Sequence, residues 1–310
     1  MPEKQLAPVY SSPPSEGLSG LETVMHKNGN AVIRNMTKDD ARQLFIWASG
    51  EGWNPGVCDL DCAWAVDPQA FIGLYTEETL AGGGSIFRHS EDFGFMGLFI
   101  VRPALRSSGL GKRLWHTRLE MLKGRLSGNA AIGLDGVFRM EGFYARGGFK
   151  TAYRTYRFEG IAPKLYPVNG AAGGAASAAE LADYDSAIVG YDRSGLLREW
   201  LDAPATHVEV IREGGLIRGY GIVRSGESGT KFGPILADKP EVFEALIVSL
   251  FSRQPGVRFQ IDIPETCHTA MQAAERWGFQ RAFGCARMYS GKEPETDFSR
   301  LYSAMSLEFG

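Results

Sequence analysis

An α/β chain built from two similar units in tandem is the fold that the sequence predicts, and three observations carry the prediction. Segments of strand-like and helix-like periodicity follow one another in the same order twice along the 310 residues. Landmarks recur about 130 residues apart, pairing Pro103 with Pro234, Asp135 with Asp262 and Phe149 with Phe279. Between the two series lies "IAPKLYPVNGAAGGAASAA", a stretch rich in Pro, Gly and Ala that breaks all periodicity.

Residues 1–29, rich in Ser, Pro, Gly and Glu, read as a disordered lead, so the first strand is expected near Ala31. "AVIRNM" is a strand, "DDARQLFIWASG" a helix closed by Gly50, and "FIGLYTEETLAGGGSIFRHS" a hairpin entered at Phe71. "DFGFMGLFIV" has the unbroken apolar run of a strand buried on both faces. Trp115, Leu119, Leu122 and Leu126 then keep helical spacing. "AAIGLDGV" is a second buried strand, followed by a short helix around Tyr144 and a pair of strands near "FKTAYRTYRFEG". These elements define a unit over 30–160, with a linker over 161–176. The unit over 177–310 repeats the order: helices at "ELADYDSAIVGYDR" and "LLREWLDA", the hairpin "HVEVIREGGLIRGYGIVRS", strand "KFGPILA", helix "EVFEALIVSLF", strand "RFQIDI", helix "TAMQAAERWGF" and closing strands.

Composition narrows the function. Hydrophobic residues make up 44% of the chain, enough for two cores, and the formal charge of −3 argues against nucleic acid or anionic lipid as partner. Four scattered cysteines and an opening without an apolar signal core point to a reducing cytoplasm. Cys58-x3-Cys62 has no second ligand pair at zinc spacing, so no metal is expected. No apolar run approaches the roughly 20 residues of a spanning helix.

The chemistry concentrates in "VRPALRSSGLGKRL". A buried strand ends at Val101 and a helix begins near Gly109, so unpaired backbone N–H groups gather at a positive helix end and glycines let an anion approach. The Walker pattern fails at Arg106 and Arg113, and a dinucleotide fingerprint fails at Leu114. What fits is Arg-x-x-Gly-x-Gly. With the preceding "LFIVRP" and the later Tyr144, Gly148 and Phe149, it resembles the GCN5-related N-acetyltransferases, the GNAT superfamily. The whole layout, with "EGWNPG" near residue 51, "YDR" at 191–193 and "ARMYSG" at 286–291, looks like its bacterial tandem subgroup. The family more often has Gly where Ser107 stands and Asn where Val137 stands.

The resemblance implies two GNAT-type domains, each a mixed central sheet flanked by helices, and acetyl-CoA as the cofactor. The strand through Phe99, Ile100 and Val101 would splay from its neighbour to pair with the pantetheine arm. Arg106, Ser107, Ser108, Gly109, Leu110, Gly111 and Lys112 would hold the pyrophosphate. Tyr144 would protonate the departing thiolate, since a phenol of pKa about 10 is protonated at neutral pH. Asp135, Glu141 and Glu51 are the candidate bases, and a water chain could replace all three.

The second unit lacks this apparatus. Its corresponding loop, "GPILADKPEV", offers Asp238 and Pro240 where N–H donors are needed, and Ala274 stands where the first copy has Tyr144. It is therefore expected to serve structure and substrate recognition. Trp53 and Asn54 of the first unit, with Tyr191, Asp192, Arg193, Arg287 and Tyr289 of the second, are expected to wall the acceptor site between the units. The function so implied is N-acetylation of a small amine or a peptide amino group by a monomer or homodimer. An acyl-CoA sensor without turnover and a transferase for longer acyl groups are the alternatives.

Overall fold

Side-chain patterning and pairing produce a single 13-stranded sheet in the computed structural model, which describes residues 22–26, 29–165 and 175–310. The lead expected over 1–29 lies outside the described residues at 1–21 and 27–28. At 22–26 the expectation is corrected: β1 (Glu22–His26) pairs antiparallel with β2 (Gly29–Asn35). Averaging the composition over the whole lead hid the strand-forming "TVM" inside it. Of the linker expected at 161–176, residues 166–174 lie outside the described residues.

In the first unit, Thr37 and Asp40 form a capping box that starts α1 (Lys38–Gly50). A further helix, α2 (Asp59–Val66), went unpredicted because eight residues carry too few turns to show a period. There follow β3 (Phe71–Thr76), β4 (Thr79–Arg88), β5 (Phe93–Val101), α3 (Leu110–Lys123), β6 (Ala131–Val137), α4 (Glu141–Arg146) and β7 (Lys150–Ile161). The second unit supplies α5 (Ala178–Val189), α6 (Ser194–Asp202), β8 (Thr206–Glu213), β9 (Leu216–Gly226), β10 (Gly229–Ala237), α7 (Pro240–Ser252), β11 (Arg258–Pro264), α8 (His268–Arg276), β12 (Gln280–Ser290) and β13 (Leu301–Ser303). Alternate residues of β3 enter different cores. Phe71 and Tyr75 join α1, α2, α5 and α6 in one that runs through both units, and Ile72 and Leu74 join α3 in another.

The strand order is β1-β2-β3-β4-β5-β6-β12-β7-β11-β10-β9-β8, with β13 added on β10. Two further features depart from the sequence reading. "KTAYRTYRFEGI" is one twelve-residue strand, not a pair. More consequentially, the units exchange strands: β12 of the second lies between β6 and β7 of the first, and β7 lies against β11 of the second. Every strand so placed gains partners on both sides, which removes two exposed edges.

Two ion pairs lock this exchange. Arg287 on β12 faces Asp135 on β6, its Nε and Nη2 donating to the two carboxylate oxygens at 2.9 and 2.6 Å. Arg157 on β7 faces Asp262 on β11 in the same manner at 2.7 and 2.9 Å. The arginines lie at matching offsets beyond Phe149 and Phe279, and the aspartates are themselves landmark equivalents. The duplication has thus produced two copies of one cross-unit bond. The surroundings differ. Burial raises the Asp135 carboxyl above its ordinary range despite Arg287, whereas at Asp262 burial is outweighed by Arg157, Lys231 and Arg224, and the carboxyl is held below it.

Candidate active site

The site begins where two parallel strands part. β5 follows β4 to its end, but it pairs with β6 only from Phe93 to Met96, opposite Ala131 to Leu134. A register shift between Gly83 and Ser85 and a left-handed Leu98, at φ 52°, mark a bulge in β5 just past the last pair. Beyond the bulge the β6-facing side of Phe99, Ile100 and Val101 borders a cavity of about 660 Å³.

At one end of this cavity, α3 starts from the predicted loop. Ser107 and Gly109 adopt positive φ, 66° and 88°, and this turns successive amides toward one side. Among the described residues the N–H groups of Ser107, Ser108, Gly109, Gly111 and Lys112 have no protein acceptor. An anion receptor of this kind, at the positive end of a 14-residue helix, fits a pyrophosphate. Arg106, Ser107, Gly109, Gly111 and Lys112 line the cavity; Ser108 and Leu110 do not. The Ser108 hydroxyl is turned to Leu105 O at 2.7 Å, and Leu110 is packed in the core. Arg106 donates through Nε to Val101 O at 2.9 Å and through Nη2 to Glu51 at 2.6 Å.

Tyr144 closes the opposite wall. Its ring packs on Trp115, 4.9 Å between centroids, and also lies against Gly136, where a Cβ would collide with it. It lines the cavity, and its hydroxyl has no protein partner among the described residues. Burial pushes its pKa up to about 12, against the opposing field of Arg118 and Arg139, so the phenol is firmly protonated.

The remaining predicted residues divide. Trp53 lines the cavity and its carbonyl accepts from Arg157 at 2.6 Å. Asp135 also lines it, with both oxygens engaged by Arg287. Glu141 does not. Its carboxylate lies outside the cavity lining, accepting from Thr151 at 2.8 Å with Arg154 3.7 Å away.

Six residues expected on the acceptor wall are placed elsewhere. Asn54 is buried, its amide joined to Gln260 and to Ser228 N, and it fastens the loop to the second unit. Arg193 is buried with Asp185, and Asp192 accepts from Ser194 N at the start of α6. Tyr191 stacks on Phe93 at 3.8 Å, and Tyr289 is buried in the same cluster. Arg287 serves the strand exchange. For Asn54, Arg193 and Arg287 the reason is shared: packing between two fused units buries polar residues by pairing them, and a local motif does not distinguish such a joint from a cleft, whereas Asp192 is exposed and caps its own helix.

What the sequence did not single out is the far wall. Arg157, Phe283 and Cys285 reach it on exchanged strands, and Leu307 and Glu308 on the segment after β13. Arg118 of α3 lies beneath, fully buried, donating to Ser85 O and to Gly97 O just before the bulge. The helical position of Arg118 was legible, but its inward direction was not.

Residues 38–149 match the acetyltransferase (GNAT) family, and residues 181–303 match an acetyltransferase (GNAT) domain. The chain belongs to the GNAT acyltransferase family. It carries that domain twice and is similar along most of its length to holothin acyltransferase of Pseudoalteromonas sp. strain SANK 73390. The two are 28% identical over 267 residues, 85% of this chain and 89% of that protein. An uncharacterized N-acetyltransferase of Bacillus subtilis strain 168, YitH, is 26% identical over 69% of this chain and 76% of its own. In structure, a candidate acetyltransferase of Pyrococcus horikoshii shares the fold at a TM-score of 0.77 and 22% identity, covering 93% of this chain and 98% of that one.

GNAT proteins use acyl-CoA, and the slot beside β5 fits it only in the first unit. In the second, β10 pairs with β11 from Thr230 to Phe232 and then shifts register in the same way. There, however, β13 occupies the opening: Ile235 pairs with Ser303 and Leu236 with Leu301. Asp238 at the following turn is engaged by Tyr184, Arg300 and Arg218. Ala274 and Tyr302 share one core cluster. The second GNAT unit has filled its own slot with its own chain.

Among the described residues no group of three His, Cys, Asp or Glu side chains is placed to hold a metal, and no helix is long and apolar enough to cross a membrane.

Proposed function

We propose that this GNAT protein is an N-acetyltransferase that moves the acetyl group of acetyl-CoA to a primary amine by direct attack in a ternary complex. One observation carries the reading: the open edge of β5, the amide cluster before α3 and the protonated Tyr144 all face a single cavity. An acetyl thioester held there supplies an electrophilic carbonyl carbon. Backbone amides of Ser107, Ser108, Gly109, Gly111 and Lys112, with Arg106, hold the phosphates, and the free edge of β5 aligns the arm. A β5 amide at the bulge stabilises the developing oxyanion as a preorganised donor. Tyr144 delivers its proton to sulfur.

A small acceptor is favoured over a protein surface because the far wall is closed by residues from both units. The similarity to holothin acyltransferase along both units supports the same direction. The test is a screen of small amines and short peptides with acetyl-CoA and longer acyl-CoAs, reading thiol release and identifying products by mass. Amide product from acetyl-CoA is the expected outcome. Turnover only with longer thioesters would reassign the donor, and CoA binding without turnover on any amine would make the chain a sensor.

A further inference from the structure

Three carboxylates line the cavity, and they are held differently. Glu51 is engaged by Arg106, and Asp135 gives both oxygens to Arg287. Glu308 is 2% exposed, and no arginine engages it among the described residues. Its Oε2 accepts the Ser306 hydroxyl at 2.6 Å, and its Oε1 has only the Lys231 ammonium, 3.5 Å away. That ammonium is buried without a hydrogen bond. A buried carboxylate this sparsely satisfied is costly, and the distant Lys231 ammonium offsets only part of that cost.

Its position supplies a reason to keep it there. The backbone of Glu308 lies directly on Gly97, where any Cβ would run into its carbonyl oxygen, one residue before the β5 bulge. The segment that brings it there is fixed at many points. Ala304 N donates to Asp262 O at 2.8 Å, Arg224 donates to Met305 O at 3.1 Å, and Phe309 O is 2.6 Å from His89 Nε2. The chain that fills the second unit's slot at β13 therefore continues into the wall of the first unit's cavity.

We propose that Glu308 is the acceptor-binding carboxylate and general base of the first unit's reaction, supplied in cis by the second unit. This rests on the transferase reading above. Glu308 takes one proton from the acceptor ammonium. The nitrogen lone pair forms the C–N bond while the carbonyl π pair moves to oxygen, and its return expels sulfur with the C–S pair. Tyr144 protonates that sulfur and recovers a proton from the new amide nitrogen. The products are amide, thiol and one proton, which Glu308 releases to water. The charged groups facing Glu308 are Lys231 on β10 and Arg157 on β7, with Asp262 on β11 and Arg224 on β9 behind them; Asp135, Cys285 and Tyr144 line the same cavity.

The experiment compares wild type, Glu308→Gln and Glu308→Asp in the full chain, using an amine found in the screen. Glu308→Gln with Lys231→Met is the companion that leaves no buried ammonium unpaired. Calorimetry should show CoA affinity within about threefold of wild type, while affinity of the CoA complex for the ammonium acceptor drops by at least about tenfold. At pH 7, turnover of Glu308→Gln should fall by about 10²–10⁴. Glu308→Gln should gain about tenfold per pH unit toward the pKa of the amine, unlike wild type, and Glu308→Asp should keep the wild-type profile at reduced rate. Wild-type turnover, acceptor affinity and pH profile in either Gln variant would overturn the assignment while leaving the transferase intact. A wild type without turnover on any amine would remove both.

Discussion

Tyr144 shows what one residue decides. Its ring is a core group against Trp115 and Phe149's cluster, and among the described residues its hydroxyl has no structural partner, so packing explains the ring and chemistry explains the oxygen. Tyr144→Phe should therefore leave CoA affinity and the unfolding midpoint nearly unchanged while turnover falls by about 10²–10⁴. The direction of its pKa sets a second outcome. A phenol raised to about 12 loses its proton only as pH nears that value, so the wild-type kcat profile should show no alkaline fall from this group below about pH 11. Unchanged turnover in Tyr144→Phe would move the proton donor to water or another side chain.

At the scale of elements, the same slot between two parting strands was built twice and filled differently. In the first unit the β5 edge is open; in the second, β13 lies in the gap and Asp238 guards the turn. Calorimetry should give one CoA site per chain, and Ala274→Tyr should add neither a second site nor activity. Two equivalent sites would show that β13 is displaced. The exchanged strands make a different prediction. Arg287→Met leaves the Asp135 carboxylate buried and unpaired, which should cost about 3–5 kcal/mol of stability in denaturant titrations. Adding Asp135→Leu should recover most of it, since the desolvated charge then disappears along with its partner.

For the whole molecule, exchange of β7 and β12 makes the two units one folding entity. Residues 30–160 expressed alone would present β6 and β7 without the strand between them and would lack Leu307 and Glu308 in the cavity wall. That fragment should be aggregated or partly unfolded by circular dichroism and gel filtration, and inactive even where soluble. A folded, active fragment would mean that β6 and β7 can pair directly and that the second unit is dispensable.

The sequence by itself determined the local part of this protein. Period and turn residues placed nearly every strand and helix, and Arg106 to Lys112 with Tyr144 were legible because a phosphate loop and a helix-borne phenol are defined by short spacing. The duplication was legible too, as landmark residues recurring about 130 residues apart. The tertiary structure decided what depends on pairing between distant segments. That β12 enters the first unit, that β13 closes the second slot, and that Tyr191, Arg193 and Asn54 are joints rather than cleft residues all follow from which edges meet. Glu308 belongs to this class. No spacing marks it, and it reaches the site only because a strand that completes one unit runs on into the other, where burial and proximity to the β5 bulge give its carboxylate a role.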